Sequence, residues 1–468
     1  MVAFRTFPSA HWATHSAQSI AIVLDDEHHC TNGQLLPNIP SHINWQQWHR
    51  FVQQAVSLLQ DLTAISKPLI AYQGVNRFCG LLCYSAALAM GGRVLMLNPK
   101  LSQQQQKQIL QDNRVDLFLS DGDFFALLSK TCAELVDLDF SQPATLTLTS
   151  GSSGKPKAVV HSIQSHLDNA EGVCELMQFG SNSSWLLSLP LFHVSGQGIV
   201  WRWLSMGATL YLNDNKQTQW QTLAKVSHAS LVPTQLQRYL AQYSVSQQIE
   251  QHILLGGAFI PPDLIQKAIQ FGITTYAGYG MTEMASTICA VKNELDNVGY
   301  PLKGREVQIE HDEIWVKGAG LALGYWLDGA VQPLTNAQGW LATKDRGEWT
   351  LDSKLKVMGR LDNMFISGGE NIQPEEIETV LYQSNLVNTA FVVPIVDKEF
   401  GERPVALIEL KEQFHLQAVN LLQIFVKQHL ESFKQPIAYL PLEPDKMQGS
   451  GIKISRKQLQ QYVADTFK

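Results

Sequence analysis

Between Ser19 and Thr149 short runs of apolar residues alternate with segments of helical spacing. Ser19–Leu24, Pro68–Tyr72, Arg93–Leu97, Val115–Ser120 and Ala144–Thr149 are rich in branched and apolar side chains, short enough for buried strands. From Trp45 to Leu62, the residues Trp48, Phe51, Val52, Ala55, Leu58, Leu59 and Leu62 recur at the spacing of one helix face. Leu81–Met90 and Ser102–Leu110 are further helical patterns, and Gln103–Gln106 reads as a solvated face. Strand–helix alternation of this kind predicts α/β architecture with mostly parallel, covered sheets.

The pattern changes near Asp345–Asp362. Beyond it Ile372–Leu381, Thr389–Val396, Pro404–Leu410 and a helix from Leu416 to Phe433 predict a compact α+β unit. The expected organisation is a large domain over 1–359, a polar joint at 360–363 and a small mobile domain over 364–468.

Composition narrows the function classes. Of 468 residues 45% are hydrophobic and 16% charged, enough apolar material for full cores, with a formal net charge of −7. A mildly acidic chain is not held on nucleic acid by a general basic surface. The longest nearly apolar stretch, Leu81–Met90, falls short of the roughly 18–20 residues of a membrane span. The first residues lack the apolar run of a signal peptide. Six scattered cysteines read as reduced thiols, mostly in the core, of a cytoplasmic protein. Asp25–Cys30 holds metal-ligand types, but adjacent residues rarely converge on one ion and no second cluster has zinc spacing, so it reads as a surface loop.

The segment Thr149-Ser150-Gly151-Ser152-Ser153-Gly154-Lys155-Pro156-Lys157 follows an apolar strand. Small residues let backbone N–H groups approach a phosphate, hydroxyls add donors and lysines add charge. It is not a Walker A loop, because only two residues separate its glycines and Lys155 precedes proline. Gly278–Glu283 lacks the third glycine and the acidic partner of a dinucleotide fingerprint.

This loop resembles the signature of the adenylate-forming enzymes: acyl- and aryl-CoA synthetases, peptide-synthetase adenylation domains and luciferases. Further motifs follow in the family's order. They are Tyr276–Glu283 (YAGYGMTE), Leu341–Asp345 (LATKD), Gly359–Glu378 (GRLDNMFISGGENIQPEEIE) and Lys453–Arg456 (KISR). The resemblance spans nearly the whole chain and implies ATP and Mg²⁺, with coenzyme A as co-substrate. It implies that Thr149, Ser150, Gly151, Ser152, Ser153, Gly154 and Lys157 cradle phosphates, and that Gly256, Gly257, Ala258, Gly278, Tyr279 and Gly280 border the nucleotide. Thr282 would contact the α-phosphate and Glu283 would ligate Mg²⁺. Asp345 and Arg360 would hold the ribose, and Lys453 would be the catalytic lysine, with nearby Lys446 and Lys457 as alternatives. Asp362 would be the hinge, with Gly368, Gly369 and Glu370 near coenzyme A. Ala158, Lys344, Asn363 and the Gly451-Ile452-Lys453 spacing depart from the family pattern, and Lys344, in place of a glycine, bears on the ribose geometry.

The chemistry agrees with this resemblance. A carboxylate attacking the α-phosphate of ATP brings two anions together, so cations and oriented N–H groups matter more than a strong base.

On the acid-binding side, His193 occupies the family's aromatic-gate position; in isolation a histidine in an apolar run reads as a satisfied core residue. Arg202 stands between Trp201 and Trp203 in an apolar helical pattern. Buried guanidinium is costly unless paired, which leaves a structural ion pair or a reader of a substrate carboxylate. The stretch from Ser188 to Leu204, with the C-terminal GIKISR, is similar to the subfamily of menaquinone biosynthesis that acts on 2-succinylbenzoate. The expected reaction joins that acid to coenzyme A through an acyl-adenylate, releasing AMP and pyrophosphate. The alternatives are a CoA synthetase for a monocarboxylate, a domain loading a carrier protein, and a non-catalytic nucleotide binder. The expected partners are small molecules, without nucleic acid or a membrane span. Oligomeric state is left open, a homo-oligomer included.

Overall fold

The structure, a computed structural model, describes residues 3–25, 30–31, 34–35, 39–124, 127–149, 156–242, 250–442 and 455–467. Ser150–Lys155, Lys453 and the Asp26–His29 part of the acidic and histidine run lie outside them. The chain divides into two compact units, Met1–Val307 with Val316–Leu341, and Gln308–Trp315 with Ala342–Lys468. This division assigns 342–359 to the second unit, where the sequence reading placed them in the large domain.

The first unit carries two mostly parallel sheets, as the alternation of strand and helix predicts. In one, His42–Asn44 and Ser286–Lys292 are antiparallel edges around six parallel strands. In the other, Leu69–Tyr72, Arg93–Met96, Leu117–Leu119 and Pro143–Thr149 run parallel, and Lys157–Ser162, Gly324–Leu327 and Ala330–Gln332 continue antiparallel. Helix Ile163–Met177 touches strands of both sheets and packs on helix Val194–Met206. Among the described residues no helix is long and apolar enough to cross a membrane.

Local chemistry sets the element bounds. Helix Trp45–Leu62 starts where Asn44 and Gln47 form a reciprocal capping box, and it buries Trp48, Phe51, Val52, Ala55, Leu58 and Leu59. The expected Leu81–Met90 helix begins a turn earlier, at Arg77, because the Asn76 side chain accepts the Cys79 N–H. Cys79 and Cys83 are core residues there.

In the second unit, helix Pro374–Gln383 and the hairpin Val387–Asp397 with Gly401–Leu410 enclose Ile377, Leu381, Val392, Ala406 and Ile408. Helix Leu416–His429 is shorter than expected. Its apolar spacing continues to Phe433, but Leu430 is extended (φ −128°, ψ 144°) and a separate turn Ser432–Lys434 follows.

Candidate active site

The phosphate-loop flanks form a hairpin. Thr149 stands opposite Lys157 in the antiparallel pair, and its Oγ1 donates to the Lys157 carbonyl at 3.3 Å. Lys157 Nζ lies 5.2 Å over the Tyr325 ring. The Tyr325 hydroxyl donates to Glu283 Oε1 at 3.0 Å. Burial and the neighbouring carboxylate raise the Tyr325 pKa, so it remains a donor. Lys157, Tyr325 and Glu283 therefore form one group. Tyr325 escaped the sequence reading because it is an ordinary strand residue, brought alongside by the pairing of Tyr325 with Val159.

Thr282 and Glu283 open a short 3₁₀ turn, Thr282–Met284, at the end of strand Ile273–Met281. Gly280 is required there: a Cβ would clash with the Ser286 carbonyl oxygen across a bulge. Gly256 and Gly278 adjoin at the ends of neighbouring strands, where a Cβ on Gly256 would meet the Gly278 carbonyl at 3.3 Å. Gly257 follows with φ +83°, Ala258 is next in the chain, and Tyr279 is buried.

Glu283 fits a magnesium ion shared with phosphates. Tyr325 occupies Oε1, and no hydrogen bond among the described residues occupies Oε2. Mg²⁺ is usually held by one or two carboxylates together with phosphates and waters. No group of three or more acidic, histidine or cysteine side chains able to hold a metal is present among the described residues.

On the acid side, His193 is the N-cap residue of helix Val194–Met206, its carbonyl accepting the Gly196 N–H at 3.0 Å. Arg202 is buried on this helix at 1% exposure. Its Nη1 donates to Ser230 Oγ at 3.2 Å, its Nη2 reaches Thr287 Oγ1 at 3.5 Å, and Nε has no partner among the described residues. No carboxylate among them forms an ion pair with it. Burial pulls its pKa down to about 10, leaving it charged near neutrality.

The ring beneath Arg202 is neither neighbouring tryptophan. Adjacent helical residues point about 100° apart. Trp201 stacks on His166 and donates to Tyr84, while Trp203 stacks on Trp45 and donates to the Ala21 carbonyl. The guanidinium instead lies 5.1 Å over Trp185, a strand residue. Trp185, Ser230 and Thr287 come from three strands, and no local spacing marks them.

Asp345 and Arg360 meet within the second unit. They are opposite in the antiparallel pair of Leu341–Trp349 and Leu355–Arg360, with Nη1 of Arg360 3.2 Å from Asp345 Oδ1. Lys344, where the family pattern has glycine, adopts φ +63°, the left-handed region that glycine enters at no steric cost. Its N–H donates to Glu313 at 2.8 Å. Arg360 also grips Asp362 through Nε (2.9 Å) and Nη2 (3.0 Å), which holds the Asp362 pKa down. Gly368 and Gly369, both with positive φ, form the tight turn between Phe365–Ser367 and Glu370–Ile372.

These loops are those of a nucleotide-activating ligase, and residues 129–326 match the AMP-binding enzyme family. A 2-succinylbenzoate–CoA ligase of Haemophilus influenzae is 50% identical over 90% of this chain and 93% of its own. The chain belongs to the 2-succinylbenzoate–CoA ligase family of AMP-forming enzymes. A variant of Escherichia coli MenE, solved with bound OSB-AMS, superposes with a TM-score of 0.86 at 38% identity, covering 99% of both chains. MenE of Bacillus subtilis, solved with ATP and a magnesium ion, gives 0.79 at 25% identity, covering 94% of this chain and 96% of that one.

Proposed function

We propose that this chain joins 2-succinylbenzoate to coenzyme A in two half-reactions. In the first, a substrate carboxylate attacks the α-phosphate of ATP, forming the acyl-adenylate and releasing pyrophosphate. Thr282 and the loop Thr149–Lys157 hold phosphate oxygens, and Lys453 bridges the two approaching anions as a point charge. Magnesium, when bound at Glu283, supplies charge neutralisation on the phosphates. Asp345 and Arg360 hold the ribose, and the Gly256–Ala258 and Gly278–Gly280 backbones border the base. In the second half-reaction the coenzyme A thiol attacks the acyl carbon and AMP leaves. Rotation of residues 364–468 about Asp362 would withdraw Lys453 and bring Gly368, Gly369 and Glu370 to the thiol. The setting is cytoplasmic, where the thiols stay reduced.

The observation that carries the choice of acid is Arg202. A buried, charged guanidinium hydrogen-bonded, among the described residues, only to hydroxyls suits a carboxylate that arrives with the substrate. The activated acid group cannot be that carboxylate, so the substrate must carry two. His193 would gate the same side.

Arg202→Ala should lower kcat/KM for 2-succinylbenzoate by roughly ten- to several-hundredfold, the effect of removing a charge-assisted hydrogen bond in a buried site. Arg202→Lys should rescue only in part, since an ammonium lacks the planar fork. A matched monocarboxylate should be poor with the native enzyme and lose little more on mutation. Equal losses for both acids would make Arg202 structural and put a monocarboxylate CoA synthetase ahead.

A further inference from the structure

His161 lies on strand Lys157–Ser162, four residues beyond Lys157, and is fully buried. Its Nε2 accepts the Ala285 N–H at 3.2 Å, from a turn more than a hundred residues away. Ala285 ends the Thr282–Met284 turn in the left-handed conformation, φ +51°, and Ser286 follows at φ +125°. Two successive non-glycine residues at positive φ are unfavourable and persist only when surrounding contacts hold them. Here the Ala285 N–H is shared between the Thr282 carbonyl, at 3.1 Å, and His161.

An accepting Nε2 is unprotonated, so the ring proton is on Nδ1. Nδ1 has no partner among the described residues, and the nearest ring, His166, is 5.1 Å away. A buried donor left unpaired is costly. An apolar side chain would avoid that cost, whereas histidine supplies an acceptor for the strained turn.

We infer that His161 is a positioning residue for adenylation, holding the Thr282–Ala285 turn so that Thr282 and Glu283 keep the geometry needed for phosphate and magnesium. The inference rests on the phosphate and metal roles proposed for those two residues. His161 itself touches neither substrate nor metal.

The test uses the full chain with His161→Leu, His161→Gln and Glu283→Gln. Three quantities are measured: the MgATP-induced rise in melting temperature together with MgATP affinity by calorimetric titration, the Mg²⁺ dependence of ATP–pyrophosphate exchange, and KM for 2-succinylbenzoate. His161→Leu should weaken MgATP binding by about five- to twentyfold, a lost buried hydrogen bond amplified through the turn. It should raise the Mg²⁺ concentration for half-maximal exchange by a similar factor, while KM for the acid changes less than about twofold. His161→Gln, which presents an acceptor oxygen, should recover most of both losses. If Leu only lowers the melting temperature and leaves MgATP binding native, or if Gln is no better than Leu, the positioning role is overturned. If Leu fails to fold, the Gln variant decides by its MgATP affinity, which must stay within about threefold of native. Glu283→Gln separates the two levels. Should it leave Mg²⁺ dependence native, the metal reading falls and the role of His161 with it. Should it abolish that dependence while His161→Leu does not shift it, His161 alone is misassigned.

Discussion

His228 illustrates how a single buried side chain sets acid sensitivity in the first unit. It is stacked 4.8 Å from His252 and tilted 5.4 Å from Trp185, the ring beneath Arg202. Its Nε2 meets the Met177 carbonyl at 3.0 Å, so the proton is on Nε2. Burial, chiefly, pulls its pKa down to about 4. The unfolded chain therefore takes up a proton first. This contribution to stability is complete above about pH 6.5 and is lost as pH falls toward 4. His228→Phe keeps a flat ring and removes the proton, so the slope of melting temperature against pH should flatten across that window. Melts at several pH values check this, and an unchanged slope would contradict it. His166, whose pKa burial also lowers, should leave a residual slope. At the same scale, Lys453→Ala should cripple adenylation far more than thioester formation from preformed acyl-adenylate, because its charge is needed while two anions meet. Separate assays of the half-reactions decide; equal losses would count against the assignment. The motif residues were legible because contiguous loops carry them. Tyr325, Trp185, Ser230, Thr287 and His161 were not, because strand register assembles them from distant segments.

At the scale of elements, the family departure at Asn363 has a local explanation. Helix Pro374–Gln383 places Glu375 and Glu378 three residues apart on one face. Arg456, at the start of helix Arg456–Thr466, reaches Glu375 at 3.2 Å and Glu378 at 2.8 Å. Asn363 Nδ2 also donates to Glu375 Oε1, at 2.5 Å. An aspartate there would face the Glu375 carboxylate with no proton to donate. Asn363→Asp should therefore destabilise the second unit by about 1–3 kcal/mol, the scale of a charge-assisted hydrogen bond lost to repulsion. Its melting transition should drop by several degrees at pH 7. An unchanged transition would show that the pair contributes nothing. Element types were legible where periodicity was long, as in Trp45–Leu62. Ends were less so: a capping side chain extended Arg77–Ala89 backward, and an extended Leu430 stopped Leu416–His429 within a continuing apolar pattern.

At the scale of the whole molecule, one chain carries two successive half-reactions. The mostly parallel sheets of the first unit were legible in the strand–helix alternation. The boundary of the second unit was not, since Gln308–Trp315 joins it from a distant part of the sequence. The hinge has its own test. Asp362→Pro fixes φ near −65° and removes flexibility. It also deprives Arg360 of one of its carboxylate partners, so Asp362→Ala is the companion variant. Coenzyme A transfer should fall more than pyrophosphate exchange for Pro, and the Ala variant should show less of that split; parallel losses would point to misfolding, which melting would reveal. The most direct test of the central claim is a product balance. With ATP, Mg²⁺ and 2-succinylbenzoate but no coenzyme A, the enzyme should exchange pyrophosphate into ATP. On adding coenzyme A, it should release AMP, pyrophosphate and the thioester in equal amounts. Formation of ADP and phosphate, or equal exchange with an aromatic monocarboxylate, would contradict the account.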